Sequence, residues 1–203
     1  MNRHIFNELL DYKPFDEVEK TDLNTMIDFV KNNEDVLTRN NTIAHFTASA
    51  WILNKDKTKV LMIYHNIYNS WAWIGGHADG EEDLKKVVLR EIEEETGVKN
   101  VRFLSDDVYA VNVIPVDNHM KRGKYVGAHL HLDVAYLFEA DECENLKIKD
   151  DENSGVKWIP IECIREYVSE EKMIPIYERL CKKLDIKNYY REGKKWELKK
   201  IAN

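Results

Sequence analysis

Apolar positions follow two different periods along this chain of 203 residues, and each period predicts one kind of secondary structure. In the first 40 residues they recur every three or four positions, which predicts helix, with Thr21 as a helix N-cap. Beyond residue 41, short runs rich in β-branched and aromatic residues predict strands. These runs are TIAHFTASAWIL, KVLMIYH, VRFL, VYAVNVIPV, HLHLDVAYLFEA and GVKWIPI. A last helix is predicted over residues 173–184, with Pro175 in its first turn.

A central helix, predicted over residues 82–96, carries two kinds of side chain on one face. At about 100° per residue, its apolar positions share a sector that indicates a core-facing stripe. The apolar positions are Leu84, Val87, Val88 and Ile92. Glu91, Glu94 and Glu95 continue the same sector one or two turns later, whereas Glu93 lies on the opposite side. The helix is therefore predicted to turn three carboxylates inward.

Three inward carboxylates at spacings of three and four residues repel one another. They also lie beside the negative end of the helix dipole, where Gly97 is predicted to end the helix. A run such as REIEEE is usually a solvated helix face, but the inward direction of these carboxylates argues against that interpretation here. A bound divalent cation accounts for them, and oxygen ligands favour Mg²⁺ or Mn²⁺ over zinc.

Composition limits the classes of partner. The 30 Lys and Arg residues against 37 Asp and Glu residues give a net charge of −7, which argues against nucleic acid and anionic membranes as partners. No apolar run reaches the roughly 20 residues of a membrane span, and the N-terminus does not resemble a signal peptide. Three cysteines without a CxxC pair favour a reduced, cytoplasmic setting. Homodimer formation is left open.

The stretch GHADGEEDLKKVVLREIEEETGV, residues 76–98, resembles the signature box of the Nudix hydrolases. Gly76 is followed after five residues by Glu82, and after seven more by Arg90-Glu91-Ile92-x-Glu94-Glu95-x-Gly97-Val98. Every defined position of the box matches. Ile74 departs from the proline that many members carry before the glycines, which affects the entry of the loop more than its chemistry.

The resemblance implies an α+β fold, namely a Nudix-type α/β/α sandwich with a mixed β-sheet. The strand order around the box fits that fold from about residue 42 to 165. We therefore predict a helical N-terminal extension over residues 1–40 and a Nudix domain over residues 41–168. Residues 169–203 are predicted to form a C-terminal helix and tail packed on the domain.

The activity that the resemblance implies is metal-dependent hydrolysis of a diphosphate linkage, usually in a nucleoside diphosphate joined to another group. The substrate would be a small nucleotide-type molecule and the cofactor Mg²⁺ or Mn²⁺. Isomerisation of an isoprenyl diphosphate is one alternative, but it requires a cysteine near the site and all three cysteines lie beyond residue 140. A non-catalytic nucleotide-sensing module is another, although such modules are expected to lose box carboxylates that this chain keeps.

The family box assigns metal ligation to Glu91, Glu94 and Glu95, and Arg90 is placed to pair with Glu94 and hold it. The general base is either a box glutamate such as Glu94 or a carboxylate from a later loop. KDDENSG offers Asp150, Asp151 and Glu152 for that role. Glu152 is preferred because it directly precedes the final strand; the alternative interpretation is an ordinary acidic turn.

Further residues are candidates for contacts with the substrate. Gly75 and Gly76 let the loop bend around the helix start, where Glu82 is a loop organiser or outer ligand. Lys121 and Arg122, with Lys124, would contact phosphates unless they form only a solvated hairpin tip. His129, His131 and Asp133 occupy alternate positions of one predicted strand, so their side chains share one face. That face would bind a second metal or contact a ligand. Histidines paired with polar neighbours are the alternative for that face.

Overall fold

The computed structural model describes residues 2–121 and 123–191, and it contains a mixed sheet with helices on both sides. The strands are β1 Ala44–Leu53, β2 Lys59–His65, β3 Ser70–Ala72, β4 Ile74–His77, β5 Val101–Phe103, β6 Ala110–Val116, β7 His119–Lys121, β8 Lys124–Val126, β9 His129–Ala140 and β10 Asn153–Pro160. The helices are α1 Arg3–Asp11, α2 Glu17–Asn32, α3 Leu84–Thr96, α4 Ile164–Tyr167 and α5 Ile174–Arg191, and a 3-10 turn spans Ile161–Cys163. Each predicted strand run contains a strand.

The central pair of strands is parallel, although its flanking pairs are antiparallel. The sheet follows the order β10-β2-β1-β9-β5, with β3 beside β2, β4 beside β1 and β6 beside β9. Strands β1 and β9 run parallel from Ala44 opposite Leu130 to Leu53 opposite Glu139. The parallel register brings the histidine-containing ends of these two strands together, because His45 lies opposite His131.

Each face of the sheet is covered by its own apolar cluster. The first cluster joins α1, α2 and α3 to one face, and the second joins α4 and α5 to the other. The helical contributors to the first are Ile5, Leu9, Leu23, Met26, Val30, Leu84, Val87, Val88 and Ile92. Those to the second are Ile164, Met173, Tyr177, Leu180 and Leu184. This arrangement confirms the predicted α/β/α sandwich with a mixed sheet.

The bounds of α2 and α3 show how local hydrogen bonds fix helix starts. Thr21 was predicted as an N-cap, but α2 begins earlier, because the Asp16 side chain accepts a hydrogen bond from the Glu19 amide. Thr21 lies inside the helix, where its hydroxyl donates to the Glu17 carbonyl. Asp83 caps α3 by accepting from the amides of residues 85 and 86, so residue 82, the predicted start, lies outside the helix.

The end of α3 and the start of α5 agree with their predictions, but α5 continues to Arg191, beyond its predicted end at residue 184. Gly97 adopts a φ of 74° and ends α3, a conformation that glycine takes without strain. Pro175 is the second residue of α5, where its missing amide costs no helical hydrogen bond. The part of the predicted tail beyond residue 191 lies outside the described residues, and the division at residues 40 and 168 stays a prediction. Among the described residues, no helix combines the length and apolar character needed to cross a bilayer.

Candidate active site

A pocket of about 410 Å³ lies where α3 meets β1, β4 and β9. Seven carboxylates line it, and those of Glu91, Glu94, Glu95 and Glu152 come from the end of α3 and the turn before β10. Glu93 is not among the lining residues: its side chain is 60% exposed and pairs with Lys99 at 3.4 Å. Glu91 and Glu95 are buried as the helical period predicts, whereas Glu94 lines the pocket with a side chain that is still 45% exposed, so only two of the three predicted carboxylates turn fully inward.

Three of these carboxylates converge in buried surroundings. One oxygen each from Glu91, Glu95 and Glu152 lies within 4.8 Å of the others. The Glu95 side chain is almost fully buried, which raises its pKa to about 8; the Gly75 amide lowers it and the charges of Glu91 and Glu152 raise it. Burial also raises the pKa of Glu91, although Arg90 opposes the rise. A cation among these oxygens would offset the cost of burying them as carboxylates.

Two glycines allow β4 to run directly beside these carboxylates. The Gly75 amide donates to Glu95 Oε2 at 3.1 Å. A Cβ on Gly75 would lie 2.6 Å from the Ala48 carbonyl, and one on Gly76 would lie 2.5 Å from the Glu91 carboxylate. Both positions line the pocket, and neither has room for a larger residue.

Two basic side chains hold the acidic wall together. The Arg90 guanidinium donates to Glu91 at 3.0 Å, whereas its predicted partner Glu94 lies 4.0 Å away. Glu94 instead pairs with Lys149, whose ammonium contacts both Glu94 and Glu152 at 2.8 Å. Burial lowers the pKa of Lys149, but its bonds to Glu152 and Glu94 outweigh that effect and leave the pKa raised. Lys149 was not a predicted site residue, and only its place beside the acidic turn pointed to it.

Other predicted site residues lie inside and outside the pocket. Of the three acidic residues 150–152, only Glu152 lines it. Glu82 lies before α3, roughly 20 Å along the helix from its acidic end, and accepts a hydrogen bond from Asn2. Arg122 and the side chain of Lys121 lie outside the described residues, and Lys124 is exposed on β8. Among these residues, only Glu152, the candidate general base, lines the pocket together with the carboxylates of α3.

His129, His131 and Asp133 share one strand face, but the aspartate and the two histidines contact different groups. The Asp133 carboxylate is buried and accepts hydrogen bonds from Thr47 at 2.9 Å and Ser49 at 2.6 Å. Burial raises its pKa to about 7, with the hydroxyls opposing the rise. The two histidines belong to a separate group with His45 and His77. Burial, then the charges of neighbouring histidines, lowers the pKa of His131 to about 2.

Apolar and aromatic side chains also line the pocket. They are those of Tyr68, Trp73, Ile114, Val116, Met173 and Tyr177. At the rim, the Arg39 guanidinium donates two hydrogen bonds to the Asp79 carboxylate, at 2.8 and 2.5 Å. A pocket lined by both carboxylates and apolar side chains can hold a ligand whose charged part binds through a cation and whose ring packs against apolar surface.

Comparison with known sequences establishes the family. The model for the NUDIX domain matches residues 44–180. A curated relative, the RNA pyrophosphohydrolase of Pelagibacter ubique, is 31% identical over 126 residues, which cover 60% of this chain and 80% of the relative.

Solved structures share the fold at low sequence identity. An Ap4A hydrolase of C. elegans is 16% identical, with a TM-score of 0.52, and the match covers 69% of this chain and 97% of that one. The NUDIX domain of Shewanella oneidensis NrtR, solved with ADP ribose, is 18% identical with a TM-score of 0.51, over 77% of this chain and 97% of that one. At such identities the likeness establishes the fold alone.

The family match spans more than half of the chain and includes the signature box at residues 76–98. Together with the curated relative, it confirms the predicted enzyme class, a Nudix pyrophosphohydrolase. The chain belongs to the Nudix family.

Proposed function

We propose that this enzyme hydrolyses a diphosphate linkage in a nucleoside diphosphate derivative in the cytoplasm, with Mg²⁺ or Mn²⁺ as its cofactor. The observation that supports this most directly is the convergence of Glu91, Glu95 and Glu152 within 4.8 Å on one wall of the pocket. Glu94 lines the same wall and completes the proposed ligand set.

The donor atoms fit a hard cation. The converging groups are all carboxylates, and oxygen ligands of this kind suit Mg²⁺ and Mn²⁺ better than thiolate- or imidazole-preferring metals. When bound, such a cation neutralises the diphosphate, polarises the attacked phosphorus and lowers the pKa of a water molecule.

The protein's own residues orient these groups. Arg90 holds Glu91 by a charge-assisted hydrogen bond, and the Gly75 amide fixes Glu95. Lys149 lies between Glu94 and Glu152, where it restrains both carboxylates. In the proposed mechanism Glu152 takes a proton from the attacking water, with Glu94 as the alternative base.

The aromatic side chains of the pocket support a substrate with a base or another ring. Tyr68 and Trp73 line the same pocket as the carboxylates, so a substrate ring can pack against aromatic surface while its diphosphate binds at the acidic groups. ADP-ribose, dinucleoside polyphosphates, nucleotide sugars and oxidised nucleoside triphosphates all have this form. A net charge of −7 disfavours an extended RNA interface, but the name of the curated relative, an RNA pyrophosphohydrolase, adds RNA to the candidates.

A substrate panel tests the proposal. The enzyme is incubated with each compound and Mg²⁺ in ¹⁸O-labelled water, and the products are identified by mass. Hydrolysis at a diphosphate places the label on a phosphate product and identifies the P–O bond that breaks. An absence of metal-dependent turnover across the panel, with either Mg²⁺ or Mn²⁺, would overturn the proposed activity.

The same panel separates the alternatives. An isoprenyl-diphosphate isomerase would convert its substrate without release of phosphate, and none of Cys143, Cys163 and Cys181 lines the pocket among the described residues. A sensing module would bind one of the nucleotides without turnover. The box carboxylates that such a module is expected to lose are all present.

Chelation is expected to abolish activity without unfolding the protein. The carboxylates lie at one end of α3, and the two apolar clusters on either side of the sheet do not depend on them. With EDTA in excess, turnover should fall to background while the circular dichroism spectrum is unchanged, and added Mg²⁺ should restore turnover. Unfolding of the whole domain on chelation would identify the cation as structural instead.

A further inference from the structure

Four histidines from three strands meet beside the pocket. His45 belongs to β1, His77 ends β4, and His129 and His131 lie on β9. One ring nitrogen from each lies within 4.8 Å of the others. The sheet register produces this meeting, because His45 is opposite His131, and Thr47, two residues further along β1, is opposite His77.

Backbone carbonyls orient two of the rings. His45 Nδ1 lies 3.1 Å from the Asn41 carbonyl, and His129 Nδ1 lies 2.9 Å from the Gly127 carbonyl. A carbonyl can only accept, so each Nδ1 carries the proton and each Nε2 keeps a lone pair. Histidines that bind metals characteristically donate their second ring nitrogen in this way.

The Nε2 atoms lie close together, and without an ion His131 Nε2 donates to the lone pair of His129 Nε2. His45 Nε2 is fully buried and has no hydrogen-bond partner, an arrangement that costs free energy unless something binds there. His129 Nε2 and His131 Nε2 lie 3.2 Å apart. Nitrogens bound to tetrahedral zinc at about 2.0–2.1 Å are separated by about 3.4 Å, which is close to that distance.

We propose that His45, His77, His129 and His131 form a binding site for one divalent transition-metal ion of the zinc class. Four imidazoles suit zinc, copper or nickel and do not suit Mg²⁺, so the site differs in chemistry from the carboxylate wall. The four nitrogens lie within 4.8 Å of one another, and binding an ion would require the rings to turn inward until the nitrogens are about 3.4 Å apart.

The position of the site gives the ion two effects. A bound ion links β1, β4 and β9, so it should raise the melting temperature by mass action. His77 and His131 also line the pocket that contains the box carboxylates, and His77 directly follows Gly76. The ion would therefore lie at the edge of the substrate pocket, separate from the cation bound by the glutamates.

A zinc titration tests the site. Protein purified without a histidine tag is stripped of metal and placed in excess Mg²⁺, which occupies the carboxylates. Competition with a chromophoric zinc chelator then measures stoichiometry and affinity. One zinc ion per chain is expected, with sub-micromolar affinity. His129→Gln and His45→Gln should each weaken it by about 100-fold or more, at least the loss seen when an outer partner of a metal ligand is removed.

Two matched variants identify the ligands. His4→Gln changes an exposed histidine on α1 and should leave zinc affinity within about twofold. Glu95→Gln changes the carboxylate wall and should do the same. His129 is only half-buried, so its variant is expected to fold, and circular dichroism checks this for both histidine variants.

The proposal is overturned if zinc binds wild type and folded His129→Gln equally well, or if Mg²⁺ displaces it. Loss of zinc binding in Glu95→Gln would also overturn it, because the carboxylates would then be the ligands. The readout is binding and not turnover, so the proposed hydrolysis and the proposed zinc site can fail separately.

Discussion

Glu95→Gln and Glu94→Gln are each expected to lower kcat/KM by a factor on the order of 100 or more, whereas Glu93→Gln should change it by less than about threefold. The three residues have the same chemistry and consecutive positions, so only direction separates them. Glu94 and Glu95 line the pocket, and Glu93 pairs with Lys99 on the outer face. Steady-state kinetics in saturating Mg²⁺ measure all three variants side by side.

The relative activities of the three variants test the direction of each glutamate side chain on α3. If Glu93→Gln proves as damaging as Glu94→Gln, the directional interpretation of α3 fails regardless of the family box. If only Glu95→Gln lowers kcat/KM, the Glu94 carboxylate pairs with Lys149, which lies 2.8 Å away, and does not bind the metal.

Without metal, Glu95→Gln should be at least as stable as the wild type. The pKa of Glu95 is raised from 4.5 to about 8, chiefly by burial, so the folded state holds this proton more tightly than the unfolded state does. The wild type therefore loses stability as the pH rises from about 4.5 to about 8, and the glutamine variant does not. Thermal melts in chelator measure this effect. The melting temperature of Glu95→Gln relative to the wild type should be higher at pH 8 than at pH 5, and Glu93→Gln is the control.

Helical periodicity was sufficient to predict the acidic wall, because the direction of a side chain on a helix depends only on its neighbours along the chain. The apolar stripe of α3 faces the sheet, and Glu91 and Glu95, which continue it, are buried as well, whereas Glu94 lies at the edge of the stripe and is 45% exposed. Gly97 ended the helix where its φ of 74° requires glycine. Helix starts were harder to predict than helix ends. Asp16 and Thr21 are both suitable N-cap residues, and only the structure distinguishes them.

Contacts between distant segments could not be predicted in this way. His129 and His131 share a strand face by alternation, but His45 joins them only through the register of β1 against β9. Lys149 reaches Glu94 because the turn before β10 folds over the end of α3. Neither the register nor the path of that turn can be obtained from local hydrophobic patterns.

The other large effect is expected at Glu19, a fully buried carboxylate on α2. Glu19→Gln should lower the free energy of unfolding by about 3–5 kcal/mol, because it leaves buried cations without their counter-charge. Lys183 of α5 donates to Glu19 at 2.8 Å, and Arg179 lies 3.8 Å from the same oxygen. The Tyr12 hydroxyl donates to the second oxygen at 2.5 Å, so residues near both ends of the chain meet at this carboxylate.

Urea denaturation measures this effect, and Glu17→Gln is the matched control. Glu17 lies in the same helical turn, but its pair with Lys20 is exposed, so its replacement should cost less than about 0.5 kcal/mol. Replacing both Glu19 and Lys183 with Met should recover part of the loss, although Arg179 still lacks its partner. If Glu19→Gln costs no more than Glu17→Gln, the buried network does not hold the N-terminal helices to α5, and their attachment rests on apolar packing alone.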